Sequence, residues 1–318
     1  MAYLYKIDAA GTQDYLTIQA AVTQAEADWN GVALDGPVEF RIWAGTYTEQ
    51  ITIDHTLLAG TAQYPLRFWA QGTVKPVLDY SAANAIFKPS SNVACLSFKG
   101  LSLEHNRNWY VIELVGSQGP NQYYNDCYVT GGGGTISMLH AGHKGLVGVN
   151  TEFAVREGAH NGITKGGGVC LLNCKMYWRA ASASNWNWAL VAGDVSAVGC
   201  LFDGTNKSAV NYGLLEGFYS SMVRNCVFKG GNYGVAKFNT HQGGATLINN
   251  IFTGQTAAAI HFPTAFESPH NLQIEANVFH DMGGAILVDH AGTYNDIAAL
   301  QAAGYDVRNK CITSDPKL

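Results

Sequence analysis

A chain of 318 residues with 36 Gly, 8 Pro and only 14% charged residues falls well below the roughly 25% charge of an average soluble protein, so part of its surface faces something other than water. A formal charge of -5 with no Lys/Arg cluster leaves nothing to neutralise a phosphate backbone, which argues against nucleic acid as a partner. No run approaches the ~18 apolar residues of a membrane span, and Met1–Asp8 lacks the basic, apolar and small-residue regions of a signal peptide. No membrane partner is expected, and the chain is expected to be made in a host cytoplasm without a signal peptide.

The first periodic segment, Tyr15–Trp29, offers Leu16, Ile18, Ala21, Val22 and Ala25 to one face and is predicted as a helix. Residues 38–53 follow as strand, ending in Ala44-Gly45-Thr46-Tyr47-Thr48-Glu49-Gln50-Ile51-Thr52-Ile53. Beyond them the chain repeats. Large apolar anchors at Leu103, Tyr128, Phe153, Tyr177, Phe202, Phe228, Phe252 and Phe279 are separated by 25, 25, 24, 25, 26, 24 and 27 residues, a period that means stacked coils. A second column, Ile86, Ile112, Ile136, Ile163, Leu190, Leu214, Val235, Ile260 and Ile286, gives each coil a second short strand, with Gly and Asn at the corners. Stacked coils place equivalent residues about 4.8 Å apart, so like residues form ladders.

Two residues before the anchor, successive coils read Cys200, Cys226, Asn250 and Asn277. Stacked Asn amides hydrogen-bond along the axis, and Cys is a buried hydrophobe of similar breadth. The seven cysteines follow the repeat instead of a disulfide framework and are expected to be reduced. Parallel side chains disfavour a disulfide between Cys200 and Cys226, and Cys170 and Cys174 read as core.

For chemistry, Lys165, Ala192, Glu216 and Lys237 fall at one offset after Ile163, Leu190, Leu214 and Val235. Asp194 would sit diagonally from Glu216 at roughly 8 Å, a spacing that suits an inverting glycosidase; a Glu216–Lys237 ion pair is the plainer alternative. Asp203 and Lys229 share another offset and read as a surface pair. His140, His143, His280-Asp281 and Asp289-His290 are metal-ligating types without a third ligand at a telling spacing, so no metal or other cofactor is expected, with calcium left open.

The link from anchor to second strand is seven residues from Phe228 to Val235 but thirteen from Tyr177 to Leu190 and twelve from Phe202 to Leu214. The longer loop carries Trp178, Arg179, Trp186 and Trp188. Such residues dominate contact hot spots and stack on sugars, so these four are the expected partner- or glycan-binding surface; covering the coil flank is the alternative. At the end, Tyr294–Gly304 reads as a short helix with Gly as its stop, followed by Ile312-Thr313-Ser314-Asp315-Pro316.

A Thr17-Ile18-Gln19-Ala20-Ala21-Val22 helix followed by the 44–53 strand resembles the opening of the pectate-lyase-like and pectin-esterase-like β-helix superfamily, where the helix plugs the first coil. The 312–316 element resembles the terminus of bacterial and phage β-helix repeat proteins. The resemblance implies an all-β fold: a single-stranded right-handed parallel β-helix forming one domain over 1–318, with an N-terminal cap at 1–37, coils at 38–292 and a C-terminal cap at 293–318. The superfamily's lyases use Asp-bound calcium with an Arg or Lys base, its polygalacturonases a set of Asp, and its esterases paired Asp with Gln; none of these sets is intact here.

Two function classes follow. The favoured expectation is a non-enzymatic phage virion component, a capsid decoration or tail protein, that forms a homotrimer through β-helix flanks and meets other virion proteins. The alternative is a polysaccharide lyase or glycosidase that grips a glycan near Lys165, Asp194, Glu216, Lys237 and the Trp loop.

Overall fold

The computed structural model describes residues 3–29, 36–53, 64–82, 84–89, 95–106, 110–113, 121–131, 145–156, 162–163, 165–179, 190–205, 213–217, 221–236, 244–262, 272–305, 308 and 310–315. The chain forms two compact units, Met1–Ala154 and Val155–Leu318. Each is a stack of parallel strands in right-handed β-helical coils.

In the first unit, Tyr3–Ile7 pairs with Val38–Ile42, and Leu66–Ala70, Cys95–Lys99, Asn121–Asn125 and Gly145–Val149 follow in parallel. The first rung thus lies inside the segment read from sequence as cap. A second sheet stacks Thr46–Tyr47, Val77–Tyr80, Ser102–His105 and Tyr128–Gly131. Strand alternation turns Phe40, Phe68, Phe98 and Tyr124 inward, stacked at 4.7, 5.7 and 5.2 Å.

Helix α1, Ile18–Asp28, closes this unit with Ile18, Ala21, Val22 and Ala25 buried. Leu16 precedes the helix and is exposed, contrary to the expectation from periodicity. The strand motif explains the docking. The Glu49 carboxylate accepts the amides of Ile18 and Gln19 at 2.7 and 2.9 Å, and the Thr17 hydroxyl accepts that of Ala20 at 3.1 Å. Three orphan donors of the first turn are satisfied, one negative charge facing the positive end of the helix.

In the second unit, Lys175–Trp178, Leu201–Gly204, Val227–Gly230, Ile251–Thr253 and Val278–His280 stack in register. Phe202, Phe228, Phe252 and Phe279 form a column with ring centroids 4.6, 4.9 and 5.4 Å apart, close to the expected coil spacing. Two anchors differ from the sequence reading: Val129, not Tyr128, stands beside Leu103, and Met176, not Tyr177, beside Phe202. The second column also slips by one, because Leu215 opposes Val235, Leu287 opposes Ile260, and Ile112 opposes Phe87. Both residues of each pair Leu214/Leu215, Ile286/Leu287 and Ile86/Phe87 are buried at the corner, so hydrophobicity alone does not choose between them.

The other corner repeats one device. Asp126, Asn150, Asn173, Gly199, Asn225, Asn249 and Ala276 have φ between 48° and 65°, and each precedes a buried Cys, Thr or Asn. The amides of Cys174 and Cys200 donate to Sγ of Cys200 and Cys226 at 3.4 Å, and the amide of Cys226 to Asn250 Oδ1 at 3.0 Å. The amide of Asn250 donates to Asn277 Oδ1 at 2.9 Å. The ladder ends on Cys311, whose Sγ accepts the Asn277 amide at 3.4 Å. Ile312 adds a last bridge to Val278. Before it, helix α2, Ile297–Ala302, is capped by Asp296 and followed by Gly304 at φ +84°.

Candidate functional site

The predicted chemical row is partly assembled by the backbone. In the strands Lys165–Leu172, Val191–Val198 and Gly213–Gly217, Lys165 pairs with Ala192 and Ala192 with Glu216, as the common offset implied. Asp194 lies two residues past Ala192 and pairs with Gly168 across a bulge. The next partner of Glu216 is Ala236, not Lys237. The one-residue slip at Leu215/Val235 removes Lys237 from the row, and Lys237 itself lies outside the described residues.

The aromatic loop is also revised. Trp178 is 2% exposed. Alternation along Lys175–Trp178 turns Met176 and Trp178 into the core and leaves Lys175 stacked on Tyr177 outside, 4.4 Å from its ring. Trp178 is therefore a core residue and not part of a contact surface. Arg179 is exposed, its amide donating to Val155 O at 2.8 Å, and Trp186 and Trp188 lie outside the described residues. Cys170 corrects a further expectation: it faces solvent, whereas Cys174 is buried. Asp203 does pair in register with Lys229, but its carboxylate accepts from the Thr205 amide and hydroxyl.

A different cluster, unseen from the sequence, stands on the outward face of the first unit. Lys6, Arg41, Trp69 and Lys99 form one row across four strands, and Glu39, Arg67, Ser97 and Tyr123 form the row beside it. The cationic groups of Arg41, Arg67 and Lys99 lie 5.1, 4.9 and 5.5 Å from the Trp69 ring centre, within cation–π range. Glu39 accepts from Arg41 Nε at 2.9 Å and Arg67 Nη1 at 2.8 Å. Burial pushes the Glu39 carboxyl up, but the hydrogen bonds from Arg67 and Arg41 outweigh it and hold the group below its ordinary value. The small Ser97 leaves a hollow of about 340 Å³ between Arg67, Trp69 and Tyr123. The signal was present in the sequence as alternating outward residues, but these first coils are too uneven in length to align by period.

A second hollow, about 440 Å³, lies in the second unit over Gly204, Gly230, Gly231 and Gly254, edged by Lys229 and Asp281. Among the described residues, no three His, Cys, Asp or Glu side chains converge as a metal site, and no helix is long and apolar enough to cross a membrane. His140 and His143 lie outside the described residues.

Strand pairing and register make each unit a stack of right-handed parallel β-helical coils. No family model matches the sequence, and no curated protein matches it. Among solved structures, the pectin methylesterase from Aspergillus niger in deglycosylated form aligns over 90% of this chain and 80% of its own, at 12% identity and a TM-score of 0.31.

Proposed function

We propose that this chain is a non-enzymatic structural protein of a phage particle, a capsid decoration or tail component, and that it assembles as a homotrimer through β-helix flanks. The observation that carries the reading is an apolar outward face in the second unit. Cys170, Ser196, Met222 and Thr246 form one outward row there, and Leu172, Val198, Arg224 and Ile248 the next. Leu172 and Met222 are 42% and 43% exposed. Leu172, Val198, Met222 and Ile248 leave Arg224 as the one charge on these two rows, and so apolar a face on a chain so poor in charge marks a contact surface. Sedimentation equilibrium tests this: a particle of three times the 34.1 kDa chain mass is expected, and Leu172→Lys with Met222→Lys should dissociate it. A wild-type monomer at micromolar concentration would overturn the reading.

The row of Lys165, Ala192 and Glu216 with Asp194 two residues on favours a second reading, a polysaccharide lyase or glycosidase. Release of reducing ends or unsaturated uronate from a polysaccharide panel, abolished by Glu216→Gln, would establish it; a panel without turnover removes it.

A further inference from the structure

We propose that two outward faces of the first unit, cationic and aromatic on one sheet and acidic on the other, bind each other between copies of this chain. The inference rests on the homotrimer reading and names a contact that would close it. The cationic face is the Lys6, Arg41, Trp69, Lys99 row with Arg67 beside it. Glu39 offsets one of the two Arg charges, and neither Lys6 nor Lys99 has an ion-pair partner among the described residues. A local excess of positive charge thus stands on a chain whose net charge is -5.

The acidic counterpart is on the second sheet. Asp79 of Val77–Tyr80 stands directly opposite Glu104 of Ser102–His105. Like charges on paired strands repel, yet both carboxylates have only neutral donors among the described residues: the Asn106 amide on Asp79, and the Ser102 hydroxyl on Glu104 at 2.7 Å. The two sheets bury their facing side chains against each other, as Tyr124 and Phe153 do at 5.6 Å. The charged rows therefore point apart and do not neutralise one another within one subunit. Across two subunits they complement each other.

The composition also suits a protein contact. Trp, Tyr and Arg are enriched at interface centres, and here Trp69, Tyr123 and Arg67 surround the hollow over Ser97. Two different, complementary faces on one subunit make a heterologous contact, which closes into a ring when its rotation allows. A cyclic trimer is such a ring.

The test uses the full chain in sedimentation velocity at low and moderate salt. Lys6→Glu with Lys99→Glu, and separately Asp79→Lys with Glu104→Lys, should each weaken association by roughly tenfold or more, and added salt should weaken the wild type. All four positions are on outward rows, so unchanged melting temperatures confirm intact folds. The decisive variant combines all four changes: it restores complementarity with the signs exchanged, and trimers should return. If the wild type is trimeric and both double variants assemble normally, this contact is overturned while the homotrimer reading stands; a monomeric wild type overturns both. Loss confined to the Lys6/Lys99 variant, with no rescue by the combined change, overturns it in favour of an anionic partner from outside the chain, such as an acidic glycan.

Discussion

The backbone amide of Cys226 donates to Oδ1 of Asn250 on the following coil at 3.0 Å, and Asn250 returns its side-chain amide to Val223 O, also at 3.0 Å. Asn250 is fully buried, so its removal strands a donor where no water replaces the bond. Asn250→Ala should cost about 1–3 kcal/mol, the penalty for an unsatisfied buried donor. Asn250→Cys should cost clearly less, since Sγ of Cys200 and Cys226 accepts the equivalent amide. Urea denaturation of the two variants decides; equal losses would mean that packing, and not the ladder bond, sets the cost.

The ladder shows how far the sequence could be read. Cys200, Cys226, Asn250 and Asn277 were legible because their anchors are all Phe, bulky and inward. Cys174 belongs to this ladder and Cys127 makes the like bond to Thr151 in the first unit, but both were hidden, since the bulk of Tyr128 and Tyr177 drew the anchor onto outward positions beside the smaller Val129 and Met176. Alternation fixes which face is buried, and size does not. The charged cluster around Trp69 was illegible for a related reason. Arg41, Trp69 and Lys99 become neighbours only through register, and coils of unequal length conceal register in a one-dimensional sequence.

Ala276 is the odd member of the left-handed corner series. Its φ of 57° matches those of Asn225 and Asn249 at 54° and 55°, but Ala lacks the polar side chain that makes this region tolerable and pays about 1–2 kcal/mol there. The Asn249 amide already donates to Asn225 Oδ1 at 2.7 Å on the outside of the corner. Ala276→Asn should therefore stabilise the protein by about 1 kcal/mol, raising the melting temperature by about 2–4 °C, and Ala276→Gly by less. A lowered melting temperature for both would show that this corner is not under left-handed strain.

All seven cysteines are thiols, and Cys170 is the exposed one. Burial pushes Cys95 and Cys127 up to about 11, so neither forms thiolate readily near neutral pH. A chromogenic disulfide reagent should label one thiol quickly in the folded Leu172→Lys/Met222→Lys monomer, more slowly in a trimer whose contact covers Cys170, and seven after unfolding without reductant. Cys170→Ser should abolish the fast phase alone. Fewer than seven thiols after unfolding would reveal a disulfide and break the ladder assignment.

Glu39 supplies the pH dependence of the cationic face. It is 5% exposed and bonded to two guanidinium groups, and its folded carboxyl lies below the ordinary value. A depressed folded value means that the pair's contribution is complete above the unfolded carboxyl's value, about 4.3, and is lost as pH falls through the lower folded one. Glu39→Gln should then cost about 1–2 kcal/mol near neutral pH, the range for hydrogen bonds to a charged group with half-buried partners. The gap between wild type and variant should stay level from about pH 8 to 5 and close below about pH 4. Because Arg41 and Arg67 retain 30% side-chain exposure, molar salt should narrow the gap without removing it. Denaturant titrations at three pH values measure all of this, and a gap that widens toward acid would show that the Glu39 charge opposes the fold instead of supporting it.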